Sequence, residues 1–251
     1  MNAPIPAPQI SGPQIYFTIP VLGGIHITET IVNGWLVMAA LILTCYFLGR
    51  NLSTRNPSRR QIVAEKLVTM LSNLLGETMG KHNMFFLPYI GALFAYSMLS
   101  SLLGLLGMRP PTGDLNTTIG FALIAFFLIQ FYNIKNKGFV GWLKGFVEPV
   151  PFLLPLNIVG EIANPISMAF RHFGNIASGL VITTLVYYAL TALSRLALGW
   201  IPVIGSIPLL QIGIPAFLSL YFDIFSSFLQ AYIISMLTMV YVGGANEAQS
   251  E

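Results

Sequence analysis

Residues 155–190 read PLNIVGEIANPISMAFRHFGNIASGLVITTLVYYAL, an apolar run with an arginine, Arg171, set well inside it. A membrane-spanning helix needs about 20 mostly apolar residues, and this run is far longer. Centring an arginine in a bilayer costs about 2.5–3.5 kcal/mol on insertion scales. The guanidinium also stays charged, because an arginine side chain is not deprotonated in proteins. Arg171 must therefore meet water, a partner carboxylate, or both. On a helical wheel of ~100° per residue, Asn157, Asn164, Ser167, Asn175 and Ser178 all fall within about 40° of Arg171. They make one polar stripe on an otherwise apolar helix, with Glu161 on its flank.

The rest of the chain places that helix in a membrane. The 251 residues are 55% hydrophobic and 8% charged, with a mean hydropathy of +0.75. Soluble domains carry roughly 25% charged residues, so this chain cannot cover a water-facing surface, and it holds too much apolar surface to stay disordered. The expected fold is an all-α integral membrane protein, one membrane domain over 1–251. Five segments are long and apolar enough to cross: 30–49, 83–106, 115–134, and two unusually long ones at 151–198 and 207–242. The last two form a helical hairpin over 151–242, joined by a Gly/Pro turn at 199–205. The Pro-rich opening, within an N-terminal segment 1–29, is expected to be irregular. Residues 58–81 repeat apolar side chains at helical spacing (Ile62, Leu67, Met70, Leu71, Leu74, Leu75) among charges, which predicts an amphipathic helix lying on the membrane surface.

Charge placement sets the orientation. Of twelve Lys and Arg, nine (Arg50, Arg55, Arg59, Arg60, Lys66, Lys81, Lys135, Lys137 and Lys144) follow the first and third spans. The opposite loops hold only Arg109 and Arg195. The positive-inside rule puts the N-terminus outside and the C-terminus inside. The single cysteine, Cys45, excludes an intrachain disulfide. The three histidines, His26, His82 and His172, lack metal-ligand spacing, so no metal site is expected. The start has no charged region of the kind that opens a cleaved signal peptide.

A second polar seam runs through the last span: Ser219, Asp223, Ser227 and Gln230, with Ser226 at its edge and Tyr241 further along. Two seams on paired helices suggest water-filled paths at membrane depth, because intramembrane ionisable residues default to ion or substrate pathways. A structural ion pair between Arg171 and Asp223 is the alternative. His172 reads as a packed side chain or as part of a relay, and Asp114 and Asn116 as turn and cap residues or as part of a path. The stretch 76–81, GETMGK, falls short of a phosphate loop, since His82 replaces the required Ser or Thr. No G-x-S-x-G elbow is present, and Asn116-Thr117-Thr118 is a weak sequon.

Residues 164–179, NPISMAFRHFGNIASG, resemble the S-x-x-x-R-x-x-G-N core of the a subunit of F-type ATP synthases. PPTGDLNTT (110–118), YNIKNKG (132–138), EPVPFLLPLN (148–157) and LQAYIISMLTMVY (229–241) resemble further parts of that family in the same order. The resemblance implies a long hairpin, tilted in the membrane, against a rotating ring of c subunits. It also implies a b-subunit peripheral stalk and the remainder of the synthase as partners, in a bacterial plasma membrane, with no cofactor, nucleotide or nucleic acid bound by this chain. It implies that Arg171 is the essential arginine between two half-channels for H⁺ or Na⁺. Asn175 and Gln230 match its polar neighbours, Ser167 matches a serine of the inner path, and Asp223 stands where relatives carry His or Glu in the outer path. Two positions depart from the pattern: Leu180 replaces a frequent ionisable residue, and His172 replaces a usual Leu. A secondary transporter or a membrane insertase with an intramembrane arginine is the alternative reading. The first lacks the expected repeat symmetry, and the second does not require the Asp223 and Gln230 seam.

Overall fold

The computed structural model describes residues 12–20, 24–148, 150–198 and 220–247. Their order is a β-hairpin, β1 (Ile15–Ile19) and β2 (Ile25–Thr28), followed by α1 (Glu29–Gly49), α2 (Arg59–Met79), α3 (Leu87–Leu102), α4 (Leu115–Val147), α5 (Leu154–Leu198) and α6 (Ser226–Glu247). Short 3₁₀ turns flank α3 at Lys81–Phe86 and Leu103–Leu106, and a π-helical turn, Leu220–Phe225, leads into α6. Among the described residues five helical segments are long and apolar enough to cross a membrane, as expected: Glu29–Gly49, Lys81–Leu106, Leu115–Val147, Pro151–Leu196 and Ser226–Asn246. The turn expected at 199–205, and the start of the last span at 207–219, lie outside the described residues.

Three features differ from the sequence expectation. The segment expected to be irregular contains an antiparallel hairpin, in which Thr18 faces His26 and Thr18 Oγ1 lies 3.0 Å from His26 Nδ1. IYFTI and IHIT are rich in β-branched and aromatic residues, which suit a pleated strand, and this outweighs the prolines upstream. Second, the cluster Lys135, Lys137 and Lys144 does not sit in an irregular loop, because α4 runs on to Val147 through a break at Gly138 (φ 69°, ψ 163°). Third, α2 is only partly a surface helix. Ser58 caps its start, accepting from Gln61 N at 3.3 Å, and Ile62, Val63, Leu67, Val68 and Met70 are exposed. Its last turns instead enter the core, where Leu75 and Met79 are fully buried.

The core gathers around α6. Leu75 and Met79 of α2, Phe86 and Ile90 beside and within α3, and Met239 and Val242 of α6 form one cluster. Ala125 of α4, Met168 of α5 and Ile234 of α6 form another. Gly243 permits the close α2–α6 approach: a Cβ there would lie 3.4 Å from Met79 Cα. At the far end of α6, Asn136 Nδ2 donates to the carbonyls of Ala245 (3.0 Å) and Asn246 (3.3 Å), satisfying terminal helix acceptors. By contrast α5 is sparsely covered over its most apolar stretch. Half of the most apolar stretch of α6 is buried inside the chain, against 11% of that of α5. Leu156, Val159, Ile162, Ile166 and Phe170 form an exposed apolar strip along its first half. At 45 residues and ~1.5 Å per residue, α5 is about 67 Å long, more than twice the ~30 Å hydrocarbon core.

Candidate functional site

The buried side of α5 carries Met168, Ala169, His172 and Ile176. Arg171 lies one step around the helix, at ~100° from His172, and its side chain is exposed, as are Asn164, Ser167 and Ser178; Asn157 and Asn175 are half-buried. The polar stripe thus runs along the border between the bundle and the exposed apolar strip. Among the described residues Arg171 makes no ion pair or hydrogen bond. The backbone of Asp223 lies in the π-helical turn, a form that recurs at functional sites. Its side chain, with Ser219, lies outside the described residues.

The two seams meet. Asn175 Nδ2 donates to Ser226 Oγ at 2.7 Å, joining α5 to the start of α6, where Ser227 and Gln230 are buried. From this junction a cavity of about 400 Å³ runs along α5 past Gly179, Thr183 and Tyr187, with Ser101 of α3 and Pro110 on its other walls. It lies at the same end as the α3–α4 connection. That connection is tied to α1, since Thr30 Oγ1 donates to Asp114 Oδ2 (2.8 Å) and Asn33 Nδ2 to the carbonyl of Arg109 (2.9 Å). Asp114 also accepts from Asn116 N at 3.0 Å, so it caps α4. Asn116 is exposed in the first turn of that helix. The geometry of Asp114 suits the turn-and-cap alternative.

Toward the α4–α5 connection there is a second recess. A cavity of about 370 Å³ lined by Lys137, Glu148, Asn157, Glu161 and Asn164 adjoins one of about 160 Å³ lined by Glu161, Asn164, Met168 and Tyr241. Asn133, Glu161 and Asn164 line both. This recess reaches Met168, and the first cavity begins at Asn175. The seven-residue interval is about 10 Å of helix rise. Arg171 stands in the middle of it and lines none of these cavities.

His172 faces the bundle. It is fully buried, with Nε2 3.4 Å from Ser97 Oγ and its ring edge-on to Phe121 at 6.3 Å. Its buried Nδ1 has no hydrogen-bond partner among the described residues. The contact continues through Ser101, whose Oγ donates to the Ser97 carbonyl (3.0 Å) and lies 2.9 Å from Thr112 Oγ1. Sequence reading of the seams passed over these α3 hydroxyls, and also over Gln130 and Asn133 of α4. Gln130 Nε2 donates to Glu161 Oε1 at 2.6 Å, and Trp142 Nε1 donates to Gln130 Oε1 at 2.9 Å. The available signal was the spacing: Gln130 and Asn133 are three residues apart, hence on one helix face, in a span that is otherwise apolar there.

Residues 31–243 match the family of the ATP synthase A chain. A sodium-ion-specific ATP synthase subunit a of Propionigenium modestum is 31% identical over 270 residues, covering 95% of this chain and 86% of that protein. An ATP synthase subunit a of Bradyrhizobium sp. is 35% identical, over 89% of this chain and 91% of its own length. The subunit a of Moorella thermoacetica is 31% identical, over 88% and 92%. These matches leave the transporter and insertase readings without support.

Proposed function

This chain belongs to the ATP synthase A chain family, the ion-translocating subunit of the Fo sector, and on that premise we propose that Arg171 divides two aqueous half-paths serving carboxylates on a ring of c subunits. The observation that carries this reading is the interruption of the cavities. One cavity ends at Asn175, the other at Met168, and the exposed Arg171 guanidinium occupies the interval between them.

The chemistry follows from charge in a low-dielectric medium. A ring carboxylate arriving opposite Arg171 is favoured ionised, because a near positive charge lowers its pKa. It releases H⁺ or Na⁺ past Ser167 into the recess lined by Asn164 and Glu161. Before it moves into lipid it must be neutralised, since an unpaired charge in hydrocarbon is costly, and it takes an ion from the cavity at Asn175 and Ser227; Gln230 and Asp223, on the same seam of the sequence, are assigned to this outer path. Arg171 repels a cation crossing directly. The membrane potential supplies about 2.3 kcal/mol per charge per 100 mV, and rotation follows from where ionisation is allowed. The exposed strip of α5 supports a ring-facing side, and the length of α5 supports a helix oblique to the membrane. In this reading the N-terminus is outside, the α4–α5 connection faces the cytoplasm of a bacterium, a b-subunit stalk holds the chain in the stator, and nucleotide binds elsewhere in the complex. The test is Arg171→Ala in the assembled complex: ATP synthesis driven by an ion gradient is expected to vanish, and retained synthesis refutes the barrier.

A further inference from the structure

The hydrogen bonds around Gln130 fix their own direction. A glutamine amide can be turned end for end, but an indole N–H only donates. The 2.9 Å bond from Trp142 Nε1 therefore sets the carbonyl oxygen of Gln130 toward Trp142 and leaves its NH₂ for Glu161 Oε1, 2.6 Å away. Trp142 lies twelve residues beyond Gln130, so in an unbroken helix the two would stand about 18 Å apart along the axis. They meet because the backbone breaks at Gly138. The piece of α4 beyond the break is tied to the start of α5 by Asn157, whose Nδ2 donates to the carbonyls of Phe146 (2.9 Å) and Glu148 (3.1 Å). The Trp142 ring is packed edge-on against Phe146 at 5.1 Å.

We propose that Gln130 is a positioning residue of the inner ion path: oriented by Trp142, it holds the Glu161 carboxylate at the waist where the two inner cavities meet. This rests on the reading of that recess as an ion path, and adds the groups that shape it. Among the described residues Gln130 makes the one side-chain hydrogen bond to Glu161. The titratable groups lining the same recess are Lys137 and Glu148 in the larger cavity and Tyr241 in the smaller. Removing the amide leaves the Glu161 carboxylate without a side-chain donor among the described residues.

The experiment measures ATP-driven ion uptake by the assembled complex in vesicles, against pH on the side of the α4–α5 connection. Gln130→Leu, which frees the carboxylate, is expected to displace the acid limb of the profile. Trp142→Phe, which keeps a ring but removes the donor, moves it in the same direction by less. Glu161→Gln removes the limb, and adding Gln130→Leu to that variant changes the profile no further. A uniform fall in rate with an unmoved limb, or an equal Gln130→Leu effect in the Glu161→Gln background, overturns the proposal. The two readings fail separately: ATP synthesis by Arg171→Ala removes the ion path itself, whereas an unmoved Gln130→Leu limb with inactive Arg171→Ala removes only the positioning role.

Discussion

Replacing Gly138 with alanine asks whether the break in α4 assembles the recess beside the α4–α5 connection. Gly138 adopts φ 69°, ψ 163°, a region almost confined to glycine, where another residue costs about 1–3 kcal/mol. A Cβ built there meets no heavy atom within 4 Å, so the penalty is one of backbone conformation and not of crowding. Straightening the helix would relieve it but would separate Trp142 from Gln130. It would also pull Phe146 and Glu148 away from Asn157. Each of these three hydrogen bonds is worth about 0.5–1.5 kcal/mol net, so straightening costs as much as the strain it removes. The variant is expected to keep the break and open it more often, by roughly 5- to 150-fold for 1–3 kcal/mol. Trypsin reads this directly, since Lys135, Lys137 and Lys144 are exposed around the break and cleavage of a transiently opened segment tracks its population. Cleavage there should accelerate at least about 5-fold, while Gly145→Ala, also with nothing within 4 Å of its Cβ, leaves it unchanged. Wild-type cleavage rates for Gly138→Ala would refute the reasoning.

Asp114→Ala removes both the α4 cap and the tie to Thr30, and should lower stability by about 0.5–2 kcal/mol while the assembled complex still transports. Thermal unfolding and gradient-driven ATP synthesis separate the two, and lost transport at full stability would move Asp114 into the path. Gly243→Val overfills the α2–α6 contact against Met79 backbone and should cost about 1–3 kcal/mol, seen as a lowered melting temperature of the purified complex; an unchanged melt would mean that α2 is not seated there.

The spans were legible because their signal is composition over length, which no local contact overrides. The start and end of α1 follow within a residue from where the apolar run meets Glu29 and Arg50. The break at Gly138 was not legible in the same way. YNIKNKG continues in residues that a helix accepts, and a single glycine does not announce positive φ. The hairpin at Ile15–Thr28 was hidden by the prolines before it, although the alternation of IYFTI and IHIT around two glycines carries the strand signal. The depth of α2 depended on Met79 meeting Gly243, a pairing more than 160 positions apart that only the packed α6 defines.

Arg171 stood out in the sequence because a permanent charge in an apolar run has no neutral explanation. Its supporting cast did not, because Gln130, Asn133, Ser97 and Ser101 are residues that membrane helices routinely use to hold one another. A helical wheel also fixes which residues share a stripe but not which way the stripe faces. In the folded chain the bundle covers the side of α5 that carries His172 and Ile176, and leaves Arg171 at the edge of an exposed strip that includes Ile166 and Phe170. A guanidinium there, with no partner among the described residues, would be costly against acyl tails at mid-membrane depth. The chain by itself is therefore electrostatically incomplete on that face. What completes it must bring negative charge or water on an apolar surface that fits alongside α5, and the proposed ring, with carboxylates arriving in turn, would supply the charge and the surface together.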